Sequence, residues 1–128
     1  MSDNNTDIAN VYKVTTSIRP DQWGASVNGS VLDCQDCERS VTCVRIVGQA
    51  EGTSETIAVK LQYSTDNSSW TDWSGATMTT TTAGAGHDTE VKTFFDRPAR
   101  YVRAVGTIGG TSPDIDYSVV LMCRKKSY

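Results

Sequence analysis

Apolar and polar residues alternate along much of this chain with a period of two. From Glu55 to Tyr63 (ETIAVKLQY), Ile57, Val59, Leu61 and Tyr63 alternate with Thr56, Ala58, Lys60 and Gln62. That is the signature of a β-strand with one dry and one wet face. Other runs rich in Val, Ile, Thr and Tyr fit the same half-buried surface. Val11 to Ile18 (VYKVTTSI) predicts a first strand with Tyr12, Val14, Thr16 and Ile18 on one face, ended by Pro20-Asp21. Val27 to Asp33 predicts a weaker second strand, Val41 to Gly48 (VTCVRIVG) a third, and Asp88 to Phe95 a later one ended by Asp96-Arg97-Pro98. In the final stretch, Tyr101 to Thr107 and Ile115 to Cys123 flank Gly109-Gly110-Thr111-Ser112-Pro113. Glycine supplies positive φ there and proline cannot donate to a ladder, so this stretch predicts a long antiparallel hairpin at the centre of the fold.

The segment Ser64-Thr65-Asp66-Asn67-Ser68-Ser69 reads as a turn closing a hairpin between Leu61 and Trp73. Asp and Asn side chains bond the backbone two residues on and tolerate left-handed conformations. Ala76 to Gly86 lacks a strong apolar pattern and predicts an edge strand followed by a mobile loop. No window carries the i, i+3, i+4, i+7 apolar pattern of a helix, and almost no helix is expected beyond a turn near Pro20 to Gly24. About seven to nine short strands at this spacing predict an all-β fold, a two-sheet antiparallel β-sandwich of jelly-roll type. Residues 1–10 are polar and are expected to form a flexible N-terminal arm; residues 11–128 form the single sandwich domain.

At 128 residues, one domain can bury a core without staples. The net charge is -3 and the basic residues do not cluster, which argues against nucleic acid as a partner. No apolar run approaches the ~20 residues of a membrane-spanning helix, and the N-terminus lacks the apolar region of a secretory signal. A soluble protein made in the cytoplasm and not bound to membrane is expected.

Candidate chemistry is sparse. The run DCQDCERSVTC places Cys34, Cys37 and Cys43 close together, with Cys123 the fourth cysteine. Three states compete: reduced and partly buried thiols, one or two disulfides, or a four-cysteine metal site built on the Cys-x2-Cys pair. Adjacent strands could bring Cys43 and Cys123 together, which the sequence alone does not show. The single histidine, His87, lies beside Asp88 in a glycine-rich loop with no nucleophile motif around it, and reads as a loop residue. Asp114 and Asp116 project to one side of a strand start and read as a charged rim, since no Asx-rich loop of calcium-binding spacing surrounds them. Trp23 reads as a core plug at one end of the sandwich. Trp70 and Trp73, with Tyr63, form a platform in an alternative, sugar-binding reading. No catalytic activity and no cofactor are expected.

The combination LQYSTDNSSWTDW followed by RPARYVRAVG resembles discoidin-type jelly rolls, in which a strand runs into an Asp-containing turn and a tryptophan and a later segment reads Arg-Tyr-Val-Arg. Tyr63, Ser64, Asp66, Trp70 and Arg100 to Arg103 carry that pattern. Over about its last two-thirds the chain is also similar to small virion proteins of tailed bacteriophages, including head decoration (cement) proteins, which end in a strand of the type RYVRAVGTIGGTSPDIDYSVVL. The resemblance implies a virion structural protein on the capsid surface, made in the host cytoplasm. It would form homotrimers, with the major capsid protein as partner. The N-terminal residues to about Tyr12, including Asp7, Ile8, Val11 and Tyr12, are expected to carry capsid contacts together with one edge of the sandwich. The alternative is a discoidin-like carbohydrate-binding module of a tail or head-fibre protein.

Overall fold

Two strands in this chain are long enough to serve two sheets each. The structure, a computed structural model, describes residues 11–82 and 88–126. Among the described residues there are seven strands: β1 (Tyr12–Trp23), β2 (Val27–Asp33), β3 (Ser40–Ser64), β4 (Thr71–Thr77), β5 (Thr81–Thr82), β6 (Asp88–Phe95) and β7 (Tyr101–Arg124). β3 has 25 residues and β7 has 24, and they pair antiparallel from Thr42↔Met122 to Ser64↔Tyr101. The ladder is interrupted between Val47 and Ala50 and again between Glu51 and Thr56. Around those interruptions Ser54, Gly110 and Ser112 have positive φ. Left-handed residues and bulges bend a strand without ending it.

At this bend the β3–β7 ribbon folds back on itself. Its first half pairs the start of β3 with the end of β7, flanked by β1 on one side and β6 on the other. Its second half pairs the end of β3 with the start of β7, flanked by β2 on one side and β4 and β5 on the other. The two halves, each one sheet, face each other across a core of Val41, Cys43, Val47, Ile57, Val59, Leu61, Val102, Ala104, Val119 and Leu121, all 1% exposed or less. Gly106 and Tyr117 show the closure directly. Both lie on β7, yet a side-chain carbon at Gly106 would stand 2.1 Å from the Tyr117 hydroxyl.

The open sides of the sandwich are sealed by particular side chains. A bulge between Thr16 and Ile18 turns Ser17 inward beside Ile18. The Ser17 hydroxyl donates to the Ser30 carbonyl (2.8 Å) on β2 and accepts from the Ala104 amide (3.0 Å) on β7, joining the sheets through hydrogen bonds that leave it satisfied while buried. On the other side Trp73 of β4 meets Phe94 of β6 edge to face, with centroids 5.9 Å apart. Trp23 packs against the core at one end, its indole N–H donating to the Arg19 carbonyl (3.1 Å). Arg45 is fully buried on the inner face of β3; its guanidinium donates to the Thr79 carbonyl and to Asp88, with Glu90 3.5 Å away. This ties the segment after β4 to β6.

The all-β, two-sheet antiparallel sandwich is the architecture expected from the alternating pattern. Several elements differ in extent. Tyr101 to Thr107 and Ile115 to Cys123 do not pair with each other as a hairpin. They are two halves of β7, each paired with β3, because the glycine and proline between them bend the strand instead of reversing it. Val41 to Gly48 and Glu55 to Tyr63 likewise merge into β3. β1 runs on through Pro20, which falls in the bulge between Ile18 and Asp21 where no ladder bond is required. The same bulging moves Ile18 inward and leaves Val14 and Thr16 outside. The turn after Ser64 forms as its residues require: Asp66 Oδ1 accepts from the Ser68 and Ser69 amides (both 2.9 Å), and Asn67 has φ 59°. The expected arm, residues 1–10, and the loop around His87 lie outside the described residues.

A disulfide joins Cys37, in the loop before β3, to Cys123 near the end of β7, across a sequence separation of 86. A bond closing so long a loop restricts the unfolded chain strongly. Replacing both cysteines by serine is expected to lower the unfolding free energy by about 2–5 kcal/mol. The readout is an earlier urea midpoint than that of the oxidised protein; coincident curves would contradict the assignment.

Candidate functional site

The two outward faces of the sandwich are chemically unlike. On the β2–β7–β3–β4 sheet the outer face is a connected polar ladder. Lys60 Nζ and Gln62 Nε2 each donate to Asp72 at 2.9 Å, and Gln62 Oε1 accepts from Arg103 Nε (3.0 Å) and Nη2 (2.8 Å). The Arg103 guanidinium lies over the Trp70 ring, 4.4 Å from its centroid. Bonds from Gln62 and Lys60 hold the Asp72 carboxyl below its ordinary range. At the end of this sheet the Arg100 fork grips Asp33 (2.8 and 2.9 Å), and that bidentate bond lowers the Asp33 carboxyl to about 2. Polar groups satisfied in this way suit a face that meets water.

The other sheet presents a different surface. Opposed residues in an antiparallel ladder share a face, so the register fixes what lies outside. One row is Val91, Val44, Val120 and Thr16, across β6, β3, β7 and β1. The next is Thr93, Thr42, Met122 and Val14, where the two threonine hydroxyls bond each other at 2.9 Å. Ile46 and Phe95 extend the face at its two ends. Among the described residues the large apolar side chains left exposed are Phe95 (71%), Val91 (60%), Val14 (48%) and Ile46 (45%), and every one of them is on this face. Isolated exposed apolar residues are ordinary, but several gathered on one sheet face mark an interaction surface.

A cavity of about 390 Å3 opens at the Ile46 end of the same face, between the β1 bulge and the sheet. Pro20, Asp21 and Gln22 form one wall; Gly48, Asp116 and Ser118 form the other. The cavity gives this surface relief as well as hydrophobicity. It offers apolar contact with two carboxylates at its rim and brings together no nucleophile and base.

Tyr12 opens β1 and, opposite Arg124, lies on the apolar outer face; the Val11 carbonyl accepts from the Lys125 amide (2.7 Å). Asp7 and Ile8 lie outside the described residues. Trp73 is 7% exposed and belongs to the core, while Trp70 is half-buried beneath Arg103, so the two indoles do not share an open platform. Tyr63 packs against the core. Asp116 lines the cavity and Asp114 does not. Sequence reading missed Phe95, Val91 and Ile46: each sits in a strand that was recognised, but which face met solvent depended on the pairing.

The four cysteines do not form the metal site entertained from the Cys-x2-Cys spacing. Cys37 is bonded to Cys123, and Cys34 and Cys43 are separate buried thiols. Cys43 faces Leu121 on β7, not Cys123. Among the described residues no three His, Cys, Asp or Glu side chains stand close enough to hold an ion.

These observations define a β-sandwich with a polar outer face and an apolar one. The chain matches the F5/8 type C domain over residues 32–116, and it belongs to that discoidin-like family. Among solved structures it is similar to the SPBc2 prophage-derived protein YomS, with 12% sequence identity and a TM-score of 0.48 over 89% of this chain and 95% of that one. No curated protein matches it.

Burial pushes the Cys34 thiol up to about 11 and the Cys43 thiol up to about 12, so neither is a thiolate near neutral pH. Iodoacetamide at pH 8 is expected to leave both unmodified in the native protein and to label both in denaturant without reductant, as read by intact mass. Rapid native labelling of either thiol would contradict its burial.

Proposed function

We propose that this chain is a non-catalytic adhesive domain, a structural protein of a tailed-phage virion that decorates the head. It docks on the outer surface of the major capsid protein lattice, as homotrimers, and stabilises contacts between capsomers. The observation that supports this reading best is the apolar outer face of the β1–β7–β3–β6 sheet. A surface of Val, Ile, Met and Phe has no bonds to make or break, and what it gains from a partner is burial, about 1.5–3 kcal/mol for a large side chain taken fully out of water. On a repeating lattice, many such contacts add through avidity. The polar ladder on the opposite sheet then faces solvent. The attribution to a virion rests on the likeness of RYVRAVGTIGGTSPDIDYSVVL to the closing strands of phage structural proteins. Tyr12 belongs to the contact surface by its place on β1.

Phe95→Asp and Val91→Glu place charge on this face without touching the core, since both side chains point outward. Each is expected to weaken co-sedimentation with expanded capsid shells by about tenfold or more, the scale of an unpaired charge forced into an apolar contact. Lys60→Ala and Arg103→Ala, on the polar face, are expected to leave it within about twofold. Equal retention of all four variants, with unchanged circular dichroism, would overturn the assignment of the apolar face.

A further inference from the structure

The end of the sandwich just beyond Phe95 and Tyr12 holds a second cavity of about 320 Å3 whose lining is cationic. Arg39, Arg97, Arg100 and Lys126 contribute to it and no carboxylate does. Arg97 is 8% exposed. Its guanidinium donates to the Cys34, Cys37 and Glu38 carbonyls at 3.3–3.4 Å and to the Ala99 carbonyl, while its Nε finds no partner. Among the described residues no carboxylate lies within ion-pair distance of Arg97, Arg39 or Lys126; the Asp33 carboxylate is taken by Arg100, and Glu38 by Arg124. Asp36 is the one other acid on this loop, and its carbonyl accepts from the Lys126 amide.

A buried guanidinium balanced only by carbonyl dipoles is costly unless an anion completes it. The position is fixed by the fold, not by one mobile side chain. The Cys37–Cys123 disulfide, the Arg97 amide bonded to the Arg39 carbonyl (3.0 Å) and the Lys126 amide bonded to Asp36 (2.8 Å) hold the three segments that carry the cations. The volume falls at the small end of the range for ligand pockets. We propose that this cleft is an oxyanion site, taking the carboxylate or phosphate group of a ligand with Arg39 and Lys126 as the reaching donors and Arg97 as the fixed charge at its base. Guanidinium and ammonium donors bind either group through charge-assisted hydrogen bonds. The inference is independent of the role of the apolar face.

The full-length protein is titrated with inorganic phosphate and, separately, with acetate at constant ionic strength, and backbone amide shifts are followed by NMR. Saturable shifts confined to residues 34–39, 97–100 and 126 are expected with at least one anion. Saturation by phosphate alone identifies a phosphoryl ligand, and saturation by acetate identifies a carboxylate. Arg39→Ala and Lys126→Ala, both at exposed positions, are each expected to weaken binding about tenfold or more. Absence of a saturable shift with either anion would overturn the proposal, as would saturation unchanged in both variants.

Discussion

The fold depends on the continuous pairing of β3 with β7. A two-stranded ribbon alone is marginal in water; folded over, each half becomes the centre of a sheet whose inner face is dried by the other half. The flanking strands add to an edge that already exists. Because the ribbon is common to both sheets, they are not separate layers that dock. Neither has a core until the bend brings Val41, Cys43 and Leu121 over Ile57, Val59 and Ala104. The outer strands then need only local devices to seal the sides: an inward serine at one, an edge-to-face aromatic pair at the other.

The same constraint separates the two surfaces. Every inward position on the ribbon is spoken for, so chemistry at the surface is left to the alternate positions and to the ends. Along the second half these are Lys60, Gln62 and Arg103, each bonded to a neighbour. Along the first half Thr42 bonds only Thr93, and Val44, Ile46, Val120 and Met122, which have no bonds to offer, extend onto Val14, Val91 and Phe95 of the flanking strands. One ribbon therefore presents a hydrated face and an adhesive one. The end that holds its two extremities together, with the disulfide and Arg97, becomes the cationic cleft.

Strand identity was legible because a period of two over runs such as ETIAVKLQY leaves little else for the chain to do. The ladder order within those runs was not. Pro20, Gly48 and the Gly109–Pro113 stretch carry local turn chemistry, and nothing local distinguishes a strand that reverses from one that bulges or bends and then continues. That distinction came from a partner remote in sequence, β7 for Pro20 and Gly48 and β3 for the Gly109–Pro113 stretch. The Asp66 turn, by contrast, is made within four residues and was readable as such. Arg45 in VTCVRIVG sits at an inward position of the alternation, yet its buried guanidinium is made tolerable by Thr79, Asp88 and Glu90, which only the fold gathers. For the same reason Phe95 and Val91 became recognisable as outward residues only when β6 was seen to be an edge. The cysteine pairing turned on a displacement of two residues along β7, between Leu121 and Cys123, which no spacing rule supplies.

Native-state hydrogen exchange tests the folded ribbon most directly, because it reports which amides open together. The account predicts that the β3 and β7 amides of both halves, Val44 and Val119 in one sheet and Val59 and Ala104 in the other, are the slowest in the molecule and share one opening free energy equal to that of global unfolding. Two groups, with one sheet exchanging at a clearly lower free energy than the other, would show that the sheets stand independently and would contradict it.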